Sequence, residues 1–309
     1  MQMTTAKMMR LFNDETITER VKLEDFWTVA LGTRPLSLLS LPADFPDSQR
    51  LKEAVEQGFI TRYYDGYSQG GLAGWLQRIQ YWLRRRRQPP IAYQTSLFHD
   101  AFEEVILEHE QYLGLLRWQV EFGLASVQQA VQPGVEEMLV YRDESVLAKI
   151  VDLIRARALI REREQSDDDT KASANPFAPP EHADPQYVEG IGDLLGYPSC
   201  CIEAFTDEVR RGQESGLRSA KQINETDRVA SDAFFASHFY PCTPDCPKAK
   251  GKGRTILDRL ATFDGRLARR MERIYRSNIQ LIKQYPRVVE RRRNESMQHG
   301  LKVVEHESL

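Results

Sequence analysis

The stretch Leu97-Phe98-His99-Asp100-Ala101-Phe102-Glu103-Glu104-Val105-Ile106, continuing through Tyr112, Leu115, Leu116 and Val120, decides the fold class. Its apolar residues recur at steps of three and four, the period of a helix face, with charged residues between them. The spacing predicts a long helix from about Leu97 to Val131 that forms much of an N-terminal core. Upstream, Pro35 to Leu41 reads as a short strand. Leu51, Ala54 and Val55 mark a helix from Asp47 that Gly58 is placed to stop. The segment from Tyr63 to Gly71 is turn-rich and aromatic, and it leads into an amphipathic helix through Trp75, Ile79, Trp82 and Leu83 that Pro89 and Pro90 end. Downstream, Met138 to Tyr141 has strand character, and Glu144 to Arg157 carries Val146, Leu147, Ile150, Val151 and Ile154 at helical spacing. The expected class is mostly α with a minor β component (α+β): a helix-rich N-terminal domain and a smaller helical, cysteine-containing C-terminal domain.

The domain organisation follows from a change in composition. Glu164 to Gln186 holds the run Ser166-Asp167-Asp168-Asp169 and continues to Pro179-Pro180 and Asp184-Pro185, with almost nothing to bury. Three parts are expected: a domain over 1–163, a linker or mobile loop over 164–186, and a cysteine-motif domain over 187–309. The last of these ends in a helix from Thr255 to about Gln284 with Ile256, Leu260, Phe263, Leu267, Met271, Ile274 and Ile282 along one side and a basic opposite side. No internal repeat is present.

Of the 309 residues, 41% are hydrophobic and 28% charged, as in an ordinary soluble globular protein long enough for two cores. No apolar stretch reaches the roughly 20 residues that a bilayer requires. The N-terminal residues lack the pattern of an export signal, so a reducing cytoplasm is the expected compartment. A net charge of -3 gives no global attraction to nucleic acid or anionic lipid. Four cysteines are too few for a disulfide scaffold, and clustered cysteines in such a protein are more often metal ligands or redox thiols.

All four lie in the C-terminal third. In Gly196-Tyr197-Pro198-Ser199-Cys200-Cys201-Ile202-Glu203-Ala204-Phe205 the proline suits the start of a helix, expected to run to about Gly212. Cys200 and Cys201 then sit in its first turn, where unpaired N–H groups and the helix dipole favour thiolate. In Pro241-Cys242-Thr243-Pro244-Asp245-Cys246-Pro247, Thr243 is placed as an N-cap with Pro244 as first residue, putting Cys246 inside a helix and Cys242 just outside it. Cys200, Cys201, Cys242 and Cys246 are therefore the candidate ligands of a soft metal or an iron-sulfur cluster. Adjacent side chains on a helix diverge by about 100°, which favours a cluster with several binding points over one small ion. Zinc is the alternative. His238 is a candidate fourth ligand or proton carrier, or else a half-buried histidine beside Phe234, Phe235 and Phe239.

Gly196-Tyr197-Pro198-Ser199-Cys200-Cys201 with Phe205, followed by Pro241-Cys242-Thr243-Pro244-Asp245-Cys246, resembles the signature of an uncharacterised prokaryotic family, the domain of unknown function 483, over about 138–250. The resemblance implies that the four cysteines act as a unit and implies no particular reaction.

Other patterns carry less. His99, Glu103, Glu104, Glu108, His109 and Glu110 lack the Glu-x-x-His spacing of di-iron bundles, because Ile106 and Ser96 stand three residues before the histidines; a solvated acidic face is expected. Arg84 to Arg87 covers a full turn and reads as a solvated helix end. Arg266, Arg269, Arg270, Arg273 and Arg276, with Arg287 and Arg291 to Arg293, form a basic face suited to nucleic acid or an acidic partner. Three functions follow. The first is a four-cysteine iron-sulfur or metal site for redox chemistry or modification of a small-molecule, peptide or protein substrate. The second is an interaction protein with a structural zinc and a basic binding helix, and the third is a metal-free dithiol switch.

Overall fold

The computed structural model describes residues 5–65, 91–132, 135–166 and 180–307. These are mostly helical with a small three-stranded antiparallel sheet, as the sequence pattern predicts. They fall into two compact units, one of residues 1–30 and 36–142, the other of residues 31–35 and 143–309.

In the first unit, α1 (Thr5–Asn13) precedes a buried π-helical segment, Val21–Trp27, then β1 (Leu36–Leu41), α2 (Ser48–Asp65), α3 (Ile91–Phe102), α4 (Glu110–Phe122), β2 (Ala125–Gln132) and β3 (Val135–Tyr141). β3 is central, with Leu139 opposite both Leu38 of β1 and Val127 of β2. Leu36, Leu39, Leu139 and Val140 supply the sheet's buried residues, and Trp27 meets Phe122 edge-on at 5.4 Å.

Two expectations change here. Gly58 does not stop its helix, which continues to Asp65. A Cβ on Gly58 would lie 3.3 Å from that of Ala101, so this glycine sits where α2 and α3 pack closely. The helix expected over 97–131 is also interrupted. His109 turns extended and its ring accepts from the Gln111 N–H as the N-cap of α4, while Gly123, at φ +66°, ends that helix in the left-handed conformation. Beyond it, Ala125–Gln132 pairs with β3 as a strand. The aromatic loop at 66–71, the helix through Trp75 and Leu83, and the run Arg84 to Arg87 lie outside the described residues, as do residues 167–179 of the polar stretch.

The second unit comprises α5 (Ser145–Ser166), a 3-10 turn (Pro180–Ala183), α6 (Pro185–Leu194), α7 (Ser199–Arg210), α8 (Ser215–Glu225), a short turn (Ser231–Phe234), α9 (Pro247–Ala261) and α10 (Gly265–Glu307). Glu181 is fully buried and pairs with Arg157 at 2.9 Å and Arg161 at 2.6 Å, joining α5 to the turn. The single helix expected from Thr255 to Gln284 is two helices. Asp264 accepts from the Arg266 N–H at 2.7 Å and caps the second, and Phe263 at the break is exposed instead of buried. The buried face of α10 carries Leu267, Met271, Ile274, Tyr275, Asn278 and Ile282. Asn278 donates to the Phe234 carbonyl at 3.0 Å and Tyr275 to that of Gly253 at 3.2 Å, so this face fixes both the segment leading to Cys242 and the helix that follows Cys246.

Candidate metal centre

Gly196-Tyr197-Pro198 is a corner between two helices. Gly196, at φ +73°, occupies the left-handed position after α6; its N–H bonds the Asp193 carbonyl at 3.0 Å and the Tyr197 N–H bonds that of Gly192 at 2.9 Å. This pair of bonds ends a helix and satisfies its last carbonyls. Arg34 adds a bond from Nε to the Leu195 carbonyl at 3.1 Å. Pro198, extended at φ −65° and ψ 138°, caps α7, and its carbonyl accepts from Cys201 and Ile202. Cys200 and Cys201 are therefore the second and third residues of α7, in its first turn as predicted.

The second pair is held differently from expectation. Thr243 is not the N-cap: Thr243-Pro244-Asp245 forms a turn closed by the Cys246 N–H on the Thr243 carbonyl at 3.1 Å, and α9 begins at Pro247 with Cys246 itself as cap. Pro247 suits the first helical position as Pro244 would, because its missing N–H is one that the first turn leaves unbonded anyway. Cys242 stands outside the helix, as predicted.

Contacts within the unit bring the pairs together. Tyr197 stacks on Phe239 at 4.6 Å and Phe239 on Phe235 at 4.7 Å, while the Ala230 N–H bonds the Pro244 carbonyl at 3.1 Å. Arg218 of α8 pairs with Glu208 of α7 and donates to the carbonyls of Pro241 and Cys242. The sulfurs of Cys200 and Cys201 end 3.9 Å apart, those of Cys200 and Cys246 3.7 Å, those of Cys201 and Cys246 3.8 Å, and those of Cys200 and Cys242 3.9 Å. All four lie within 4.8 Å of one another, and none is in a disulfide. The Cys242 N–H points at the Cys201 sulfur at 3.4 Å. Cys201 and Cys246 are buried, Cys200 and Cys242 half-buried. His238 is exposed, at φ 60°, and is not part of the sulfur group.

The electrostatics reverse part of the sequence expectation. Burial pushes the Cys201 thiol well above its ordinary range; the Cys242 N–H bonded to its sulfur opposes this, but the neighbouring thiols Cys242, Cys246 and Cys200 add to the rise. Burial, with Cys246 beside it, raises Cys242 to about 11. Cys246 is shifted downward: burial opposes this, but the Ala249 N–H and the thiols of Cys242, Cys200 and Cys201 donate to it. A pocket in which the Cys246 thiolate is favoured while Cys201 and Cys242 are held protonated is one that a soft cation neutralises, and the four sulfurs could hold a metal ion.

Residues 181–274 match the model of a family described as a protein of unknown function, DUF483. It is the family that the cysteine signature resembles, and the matched segment contains both cysteine pairs, the Gly-Tyr-Pro corner, Arg218 and the start of α10. No curated protein and no solved structure matches the chain. Among the described residues, the four cysteines are the group arranged to hold a metal, and no helix is long and apolar enough to cross a membrane. Sequence reasoning missed Arg218. Its signal is weak, since an arginine within Ser215–Glu225 looks like any solvated helix residue until its carbonyl partners 23 and 24 positions away are known.

Proposed function

We propose that Cys200, Cys201, Cys242 and Cys246 hold one tetrahedral soft metal ion, zinc by ligand type, and that this centre is a structural staple of a binding module. The sulfur separations carry the reading. Four sulfurs about 2.3 Å from a single ion form a tetrahedron with edges of about 3.8 Å. Four of the six separations, 3.7, 3.8, 3.9 and 3.9 Å, sit on that value, and the other two, both involving Cys242, are within 4.8 Å. An iron-sulfur cluster spreads its thiolates over separate irons and needs them further apart. Four protein ligands leave no open position for a substrate, and closure of this kind belongs to structural sites. The Cys242 N–H directed at the Cys201 sulfur supports a thiolate there once the metal has displaced the proton.

Metal and acid-labile sulfide analysis of anaerobically purified protein, beside a Cys242→Ala variant, tests the proposal. About one zinc per chain without sulfide, lost together with cooperative unfolding of the C-terminal unit in the variant, is the expected result. Iron with sulfide would replace the staple by a cluster and reopen redox or substrate-modifying chemistry. Absence of any metal, with a reversible change in thiol count, would replace it by a dithiol switch.

A further inference from the structure

The exposed side of α10 has a charge pattern that packing does not require. At about 100° per residue, Arg266, Arg269, Arg273, Arg276, Arg287 and Arg291 fall within an arc of about 80°. All six are exposed. Lys283 lies at the edge of the arc, and its interior positions are the uncharged Gln280 and Gln284. The acids between Arg266 and Arg291 are Glu272 and Glu290, which share one azimuth on the flank, where Glu272 pairs with Arg276 at 4.0 Å. A solvated helix face ordinarily mixes signs at four-residue spacing. Here one sign runs unbroken for about 38 Å at 1.5 Å per residue.

We infer that this stripe binds the phosphate backbone of a nucleic acid duplex. A duplex presents about one phosphate charge per 1.7 Å of axis, so the arginines before Pro286 and the two after it can each meet phosphates. Arginine outnumbers lysine on the stripe, and its planar fork grips phosphate through two N–H groups. Each rival partner lacks something it needs. A membrane helix needs a free apolar face, but Leu267, Met271, Ile274 and Ile282 are buried within the unit. A single strand needs a row of exposed aromatic platforms, but along the stripe Tyr275 is buried and Tyr285 is half-buried, 6.2 Å from Tyr240 and bonded to Glu214 at 3.2 Å, and the exposed Phe263 stands alone before it. An acidic protein interface needs apolar or aromatic anchors at its centre, and the arc has none. Arginines outnumber the two exposed amides among them, Gln280 and Gln284, so backbone charge sets most of the binding.

The inference goes beyond the metal reading and does not depend on which ion is bound. The test is fluorescence anisotropy of the full chain with a labelled duplex of about 20 base pairs, from about 50 mM salt upward. The wild type is compared with R269Q/R273Q/R287Q and with R50Q/K52Q/K149Q, which removes the same charge from exposed positions elsewhere. The stripe variant should bind at least about tenfold more weakly, with a log–log salt slope reduced by about 2 to 3, near 0.9 for each phosphate that is no longer neutralised. The control should match wild type, and all three proteins should keep the same metal content and melting temperature. Failure of the wild type to bind at about 50 mM salt would overturn the inference. So would equal losses in both variants, or tighter capture of a polyglutamate peptide or anionic vesicles than of the duplex.

Discussion

Arg218→Met tests whether the metal site is positioned by long-range contacts as described. Arg218 is 18% exposed and Glu208 8%; their pair spans α7 and α8, and the other arm of the guanidinium reaches the carbonyls on either side of the Cys242 turn, that of Cys242 at 3.3 Å. Methionine keeps the aliphatic stem but strands Glu208 as a buried charge and leaves both carbonyls without this donor. Removing one partner of a buried pair costs about 3–5 kcal/mol, most of it the penalty on the charge left behind. With a urea slope of about 2 kcal/mol per M, the midpoint of the metal-bound protein should fall by about 2 M. The Cys242 turn also loses its anchor, so zinc affinity measured against a chromophoric chelator should drop by about 10- to 100-fold, the usual loss when a ligand's outer support is removed. Combining the change with Glu208→Gln removes the stranded charge and should restore part of the urea midpoint but little of the zinc affinity, because the carbonyl contacts are still missing and weaker zinc binding keeps the rest of the loss. An unchanged urea midpoint in Arg218→Met would refute the burial argument. A lowered midpoint with unchanged zinc affinity would refute the positioning argument.

Three further outcomes follow from specific atoms. Cys201 and Cys242 have raised thiol pKa values, the latter about 11, so both carry protons at neutral pH until metal displaces them; zinc affinity should rise about 100-fold from pH 6.5 to 7.5, and a flat profile by competition titration would contradict this. Burial opposes the ionisation of Asp14, but Thr16, Trp118 and Arg117 bond it and hold it at about 2, below its ordinary 3.8. A depressed folded-state value stabilises above the unfolded pKa and is lost as pH falls, so the first unit should weaken between about pH 4 and pH 2, and Asp14→Asn should flatten that dependence in acid-denaturation curves. A Cβ on Gly253 would stand 1.9 Å from the Asp232 carbonyl oxygen, so Gly253→Ala must push α9 off the Ser231–Phe234 turn. At the upper end of overpacking costs, about 3 kcal/mol, the melting temperature should fall by about 6–12 °C, whereas Gly251→Ala, with open space at its Cβ, should be neutral or slightly stabilising.

The elements legible in the sequence are those whose signal is local. β1, β3, α5 and α7 each announce themselves by periodicity or by a proline at the right end. The misjudged boundaries share one cause: an apolar period does not record where a chain reverses. Leu97 to Val131 keeps a helical rhythm across His109 and Gly123, yet a ring nitrogen accepting an N–H starts a new helix inside it and a glycine at positive φ ends that helix. Gly58 carries the opposite lesson. A glycine reads as a stop when nothing is known of its neighbours, and becomes a packing device once Ala101 sits 3.3 Å from where its Cβ would be. The break at Asp264 is of the first kind, since an N-cap between two basic, amphipathic segments leaves the apolar rhythm intact.

The site is legible as a set of residues and not as a geometry. Adjacent helical residues diverge by about 100° at Cα, which argues against one small ion, but sulfur stands two bonds further out and the first turn lets both side chains lean toward its axis. Cys200 and Cys201 thus approach to 3.9 Å, straddling a point that Cys246 meets at 3.7 and 3.8 Å. That convergence depends on Tyr197 against Phe239, on the Ala230 N–H at Pro244 and on Arg218 at the Cys242 turn, contacts that no local pattern encodes. Bringing the thiols this close favours one thiolate, at Cys246, to which its neighbours donate, and makes Cys201 and Cys242 harder to ionise, with burial as the largest cause. A metal ion resolves the conflict by taking the place of the protons, so the contacts that gather the sulfurs and the ion that holds them there should stabilise one another. On this argument, chelation loosens the aromatic cluster and the Cys242 turn together, and neither can be lost alone.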